Sequence, residues 1–290
     1  MIYLLGMSHA INVLKAAAAG AFALTHENWS SLNSGEQFFD LPAKPNLVPS
    51  GHLRAFIISR ATGWGSVAEM RTGANGQKHV AAVEGYIRLL ESLKDAGPDD
   101  ILFSFVHGNE HSILSLVQHP NPYDFFESWD AESALESGTQ PVPFEVVQRQ
   151  MEKALNPSVA CLAMLRAKLP HLRVVHVMAP PPIESETHIR STPEVFRERL
   201  EQNGVTPLSI RLKYYRLAQR MLAESLQALG IGLLASPAEA VGPSGAIKDA
   251  YAFGATHGNE RYGELVLGQM ASMAAAGATA ATAAVIAVVA

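Results

Sequence analysis

The chain alternates short, continuously apolar runs with longer segments that repeat at helix spacing. The first run is Ile2-Tyr3-Leu4-Leu5, closed by Gly6, and a helical pattern opens at once, with Ile11, Leu14, Ala18 and Phe22 recurring on one face. Similar runs occupy 54–59, 100–106, 172–178 and 230–234. Helical periodicity fills the gaps. It predicts helices over about 77–94 (Val80, Val83, Ile87 and Leu90 in step), 143–169 (where Pro157 threatens a break) and 207–229, and a last one beginning near Asn259, a good N-cap. Strands that are apolar throughout must be covered on both faces, and strands joined by helices run parallel. The expected fold is α/β: a flavodoxin-like three-layer α/β/α sandwich on a mainly parallel, five-stranded sheet.

No Gly/Ser/Pro-rich linker divides the 290 residues, so one domain over 1–270 is expected, followed by an Ala-rich tail, 271–290. The net charge of −5 offers no basic field for nucleic acid. The single cysteine, Cys161, excludes a disulfide framework. It lies in an apolar helical stretch and reads as a buried structural thiol in a reducing, cytoplasmic setting. The N-terminus lacks the basic region of a signal peptide. From Leu265 onward there is no charge, but alanine contributes little to membrane insertion. A continuation of the last helix, or a frayed tail, is expected rather than a membrane anchor. The stretches 26–52 and 117–142, rich in turn residues, read as long loops, which in compact domains often line a site. Pro180-Pro181-Pro182 reads as a stiff crevice wall.

Ser8 stands at the turn between the first strand and the first helix. That places its hydroxyl at the C-terminal edge of a parallel sheet, where α/β proteins bind ligands, and near a helix N-terminus that favours an oxyanion. Alone, a serine there could simply cap the helix. Two further segments bear on it. Ser104-Phe105-Val106-His107-Gly108-Asn109-Glu110-His111 follows a strand-like run, and Thr256-His257-Gly258-Asn259-Glu260-Arg261-Tyr262-Gly263 precedes the last helix.

These three segments, in this order, resemble the blocks of the SGNH (GDSL-type) hydrolases over roughly residues 1–270. Gly6-Met7-Ser8-His9 resembles Gly-Asp-Ser-Leu. Gly108-Asn109-Glu110 resembles Gly-x-Asn-Asp with one residue missing. His257 with Asn259 and Tyr262 resembles the final block. The resemblance implies Ser8 as nucleophile, His257 as base, and an oxyanion hole built from Asn109, the Ser8 backbone N–H and a glycine after the second strand. Gly76 matches that glycine best by position, with Gly73 as competitor. The family's Asp before the serine is Met7 here. Its acid three residues before the histidine is Gly254.

A serine hydroxyl needs a base to take its proton, and a neutral imidazole serves near neutral pH. With Gly254 in place of the acid, the candidates for orienting His257 are a backbone carbonyl, Asp249 and Glu260, in that order. Gly254→Asp should raise turnover unless the turn needs a positive φ. His107 and His111 have the spacing of two zinc ligands on a helix, but Gly108 and Asn109 between them suit a loop, and no metal site is expected. His111 reads as lying near the site entrance or capping the helix that follows, and His176 as a satisfied core residue. No nucleotide-binding motif implies a cofactor. Three functions remain: a serine esterase acting on a small or carbohydrate-linked acyl group, an acyltransferase using the same serine, and a catalytically silent binding protein.

Overall fold

A computed structural model of the chain describes residues 2–17, 37–42, 52–58, 67–130 and 133–276. Five parallel strands form the centre of the sheet: β1 (Ile2–Gly6), β3 (His52–Ile57), β6 (Ile101–Phe105), β9 (Arg173–Val177) and β10 (Gly232–Leu234). A sixth, β2 (Gln37–Pro42), pairs antiparallel with β3 at one edge, inside the stretch expected to be loop. The spatial order is β10-β9-β6-β1-β3-β2. In register, Leu4 of β1 lies between Ala55 and Phe103.

The apolar character of β1 on both faces has the expected consequence. Ile2 and Leu4 enter one hydrophobic core, with α1 (Ser8–Ala17) and α8 (Glu260–Ala275). Tyr3 and Leu5 enter the other, with α2 (Glu84–Ser92), α4 (Phe144–Lys168) and α7 (Leu208–Ala228). The molecule is thus a three-layer α/β/α sandwich.

Two sequence expectations need correction. Residues 77–83 are not helical: β4 (Ala68–Thr72) and β5 (Lys78–Ala82) form an antiparallel hairpin, and the helix begins only at Glu84. Apolar residues at 80, 83, 87 and 90 satisfy a helix period, but the polar turn Gly73-Ala74-Asn75-Gly76 ahead of them is the stronger signal. Pro157 does not break α4, which runs on to Lys168. The Asn156 side chain there accepts from Met70 N–H and donates to Met70 C=O, tying the helix to β4.

The described residues of the stretch 117–142 carry the two-residue pair β7 (Tyr123–Asp124) and β8 (Gln140–Pro141) and an isolated bridge from Val117 to Val205. The shorter helices α3 (Glu110–Ser115), α5 (Glu186–Ser191) and α6 (Arg197–Asn203) complete the fold around the C-terminal edge of the sheet, together with the small hairpin β11 (Ala252–Phe253) and β12 (His257–Gly258). Residues 277–290 of the tail lie outside the described set, as do Ala18 and Phe22. No helix among the described residues is long and apolar enough to cross a membrane.

Candidate active site

The strand order reverses at β1. The chain passes from β1 outward to β3 on one side, then returns to place β6 on the other. In open α/β sheets such a switch point opens a crevice at the strands' carboxyl ends. Ser8 follows β1 and opens α1, while Asn109 follows β6 and precedes α3. The first N–H groups of a helix have no intrahelical acceptor, which leaves that of Ser8 free to face a ligand.

His257 arrives from the other end of the chain. Its β12 is paired to β11, and the Asn12 side chain of α1 donates to Gly258 C=O at 2.7 Å, a buried bond that pins the histidine strand to the serine helix. The Asn259 side chain caps α8 by accepting from Tyr262 N–H. In this arrangement His257 Nε2 lies 3.0 Å from Ser8 Oγ.

The other imidazole nitrogen, Nδ1, meets two oxygens. Thr256 Oγ1 is at 3.1 Å and Glu194 Oε2 at 3.7 Å. The threonine hydroxyl can take either role, but an ionised carboxylate only accepts, so Glu194 favours a proton on Nδ1, which leaves the Nε2 lone pair for the serine hydroxyl. Glu194 is the carboxylate that faces the ring, and the sequence did not reveal it. Asp249 and Glu260, the two carboxylates expected from sequence, are exposed. Glu194 comes from the short turn between α5 and α6, where nothing in Ser191-Thr192-Pro193-Glu194 marks it as more than a helix start.

Gly254 shows how this substitution works. A Cβ built there would fall 2.4 Å from the Glu194 carboxyl carbon and 2.5 Å from both its oxygens. The carboxylate thus occupies the volume into which a side chain at 254 would project. Gly254 also has φ +57°, a conformation that side chains disfavour. Its carbonyl accepts from His188 Nε2 and Thr192 Oγ1, and the neighbouring Ala255 N–H donates to Glu194 Oε2. The Glu194 segment is therefore stitched to the histidine turn at several points. Glu194 itself sits at φ +48°, rare for a non-glycine residue and typically costing about 1–3 kcal/mol. Burial pushes its carboxyl up, but bonding to His257 and to the Ala255 N–H, with attraction to the imidazole, holds it below the usual range overall.

Asn109 is fixed from two directions. The Glu110 side chain turns back to accept from Gly108 N–H at 3.0 Å and bonds to Ser158. The Asn109 Oδ1 contacts His9 Nε2 at 2.8 Å. The expected glycine donor is a different matter. Gly76 lies in the β4–β5 turn and gives its N–H to Gly73 C=O, while Gly73 gives its own to Gln77 C=O. Both N–H groups are consumed by the hairpin, so neither Gly76 nor Gly73 serves an oxyanion. That leaves the Ser8 N–H and the Asn109 amide as the candidate donors.

The other histidines separate. His107 has a left-handed backbone (φ +60°), and its Nε2 lies 3.9 Å from Cys161 Sγ. His111 packs edge-on against Tyr215 inside the protein, where burial lowers its pKa to about 3. His176, inside β9, reaches Ser104 Oγ, and its pKa falls to about 4 through burial and the nearby His107. Cys161 is buried and pushed up to about 12 by burial, so it is inert as a nucleophile. Pro180-Pro181-Pro182 is buried, and Pro180 lines a small cavity beside His9.

A serine–histidine–carboxylate chain, with the Ser8 N–H and the Asn109 amide as candidate oxyanion donors, is a constellation capable of acyl transfer through a covalent serine ester. No family model matches the sequence, and no curated protein matches it. Among solved structures, a candidate acylhydrolase from Bacteroides fragilis is similar at 11% identity and a TM-score of 0.43, over 95% of this chain and 86% of that one. The periplasmic domain of a lipopolysaccharide acetyltransferase from Salmonella Paratyphi A is similar at 8% identity and a TM-score of 0.43, over 94% and 82%. At such low similarity, function has to be read from the residues themselves.

Proposed function

We propose that the protein is an SGNH-type serine esterase that cleaves an ester of a small or carbohydrate-linked acyl group. The observation that carries this reading is the chain Ser8 Oγ–His257 Nε2 at 3.0 Å with Glu194 behind Nδ1. Ser8 Oγ attacks the acyl carbonyl as its proton passes to His257 Nε2. Glu194 stabilises the imidazolium without taking a proton. The carbonyl oxygen becomes an oxyanion held by Asn109 Nδ2 and the Ser8 N–H. Collapse of the tetrahedral intermediate breaks the ester C–O bond, and the leaving alkoxide takes the proton from Nε2. Water then gives a proton to His257 and attacks the acyl-serine, releasing the acid and restoring Ser8. With an acceptor hydroxyl in place of water, the same acyl-enzyme would transfer its group instead.

The test is covalent and kinetic together. A fluorophosphonate probe should add its mass to the peptide containing Ser8, and short-chain nitrophenyl esters should turn over. Ser8→Ala should abolish both. A wild-type protein that neither takes the probe nor hydrolyses any acyl ester would instead be a catalytically silent binding protein.

A further inference from the structure

We propose that His9 is a positioning residue that aims the Asn109 amide at the oxyanion, a role that rests on the esterase reading above. An amide can present either its oxygen or its NH2 to His9. The 2.8 Å contact between His9 Nε2 and Asn109 Oδ1 requires the proton on Nε2. The opposite arrangement would place the amide NH2 toward His9 and the amide oxygen toward the site, where it would repel an oxyanion.

Three observations favour the productive arrangement. The other ring nitrogen, His9 Nδ1, is enclosed and has no hydrogen-bond partner among the described residues. A proton there would be an orphaned buried donor, the rarer and costlier defect, whereas a bare lone pair is better tolerated. Next, the His9 ring lies against the His257 ring, with centroids 4.5 Å apart. Burial, and then the neighbouring His257, hold His9 well below its usual pKa, so it stays neutral with a single proton to place. Finally, the backbone makes room for it. Gly108 has φ +112°, and a Cβ there would lie 3.1 Å from the His9 ring. Position 108 is thus bare where the imidazole must approach Asn109.

His9 is therefore held between the base and the oxyanion donor. With the Nε2 proton committed to Oδ1, the two Nδ2 protons of Asn109 are turned away from His9 and toward the crevice.

The test has two arms. Long-range nitrogen–proton NMR on histidine-labelled wild-type protein should show His9 neutral and protonated on Nε2 near neutral pH. A proton on Nδ1, or on both nitrogens, would overturn the proposal whether or not the protein turns over an ester. In the kinetic arm, His9→Leu should lower kcat by about 10- to 100-fold with little change in KM, a fraction of the 10²–10³ typical of losing an oxyanion donor outright. His9→Gln, whose amide can also donate to Oδ1, should restore most of it. In an Asn109→Ala background His9→Leu should cost nothing further. An undiminished loss in that background would show that His9 acts elsewhere and refute the role. Absence of all turnover in the wild type would sink the esterase reading, while the NMR arm would still decide how His9 and Asn109 are arranged.

Discussion

The space at position 254 is taken by the carboxylate that faces His257. Because Gly254 has a positive φ and the Glu194 carboxylate fills its side-chain space, Gly254→Asp should not improve the enzyme. It should displace Glu194, lower turnover and lower the melting temperature, which esterase assays and thermal melts on the same preparation would measure. Higher turnover with an unchanged melt would mean that an acid at 254 can still be seated. At this scale the sequence was only partly legible. Ser8 and His257, each in a short motif beside a strand or helix end, could be paired from sequence, and the structure places them 3.0 Å apart. The approach of Glu194 to His257 could not be foreseen, because it comes across space from a turn with no motif of its own. Gly76 misled because its hairpin resembled the start of a helix.

Among the elements, the long stretch 117–142 was expected to line a site, and what the structure shows is how it is anchored. Lys213 of α7 reaches Asp124 at 2.8 Å, with both side chains buried, and also donates to Phe125 and Ala134 C=O. Arg216 grips Glu127 beside it. Lys213→Met would leave Asp124 buried without its counter-charge and should cost about 3–5 kcal/mol in urea denaturation. A loss below about 1 kcal/mol would show that the pair anchors nothing. The packing of α1 on α8 is equally exacting. A Cβ at Gly263 would stand 2.4 Å from Asn12 C=O, backbone that cannot yield locally. Gly263→Ala should therefore force the helices apart, cost about 1–3 kcal/mol and loosen the Asn12–Gly258 bond that holds His257 near Ser8. Turnover should fall with stability; a fall in neither would contradict this packing. The strands themselves were legible because a strand buried on both faces is an unbroken apolar run. The antiparallel β2 and the β4–β5 hairpin carry no such run.

At the scale of the whole molecule, burial holds three of the described histidines, His9, His111 and His176, in the neutral form. The pKa of His111 falls to about 3 and that of His176 to about 4, from an ordinary 6.5. Below pH 6.5 the unfolded chain takes up protons at these two positions that the folded one refuses, so both withdraw stability as pH falls toward 4. Each of the two sites contributes up to about 1.4 kcal/mol per pH unit. Urea midpoints measured from pH 7 to pH 4.5 should show this loss, and His111→Gln should flatten it if the variant folds. A stability profile flat across that range would contradict the buried, neutral state. The three-layer architecture could be read from the alternation of strand and helix patterns. The crevice at the β1 switch point could be read only once strand order was known, because sequence does not say on which side of β1 each later strand will pair.

The most direct measurement is kcat/KM on one nitrophenyl ester for Glu194→Gln, Asp249→Asn and Glu260→Gln, each confirmed folded. Replacing the carboxylate of a serine triad by an amide lowers turnover by about 10⁴-fold. With Glu194 at ion-pair rather than close hydrogen-bond distance, Glu194→Gln should lose about 10²–10⁴-fold, while the other two variants stay within a few-fold of wild type. Near-wild-type turnover in Glu194→Gln, with a collapse in Asp249→Asn or Glu260→Gln, would contradict the assignment of the acid.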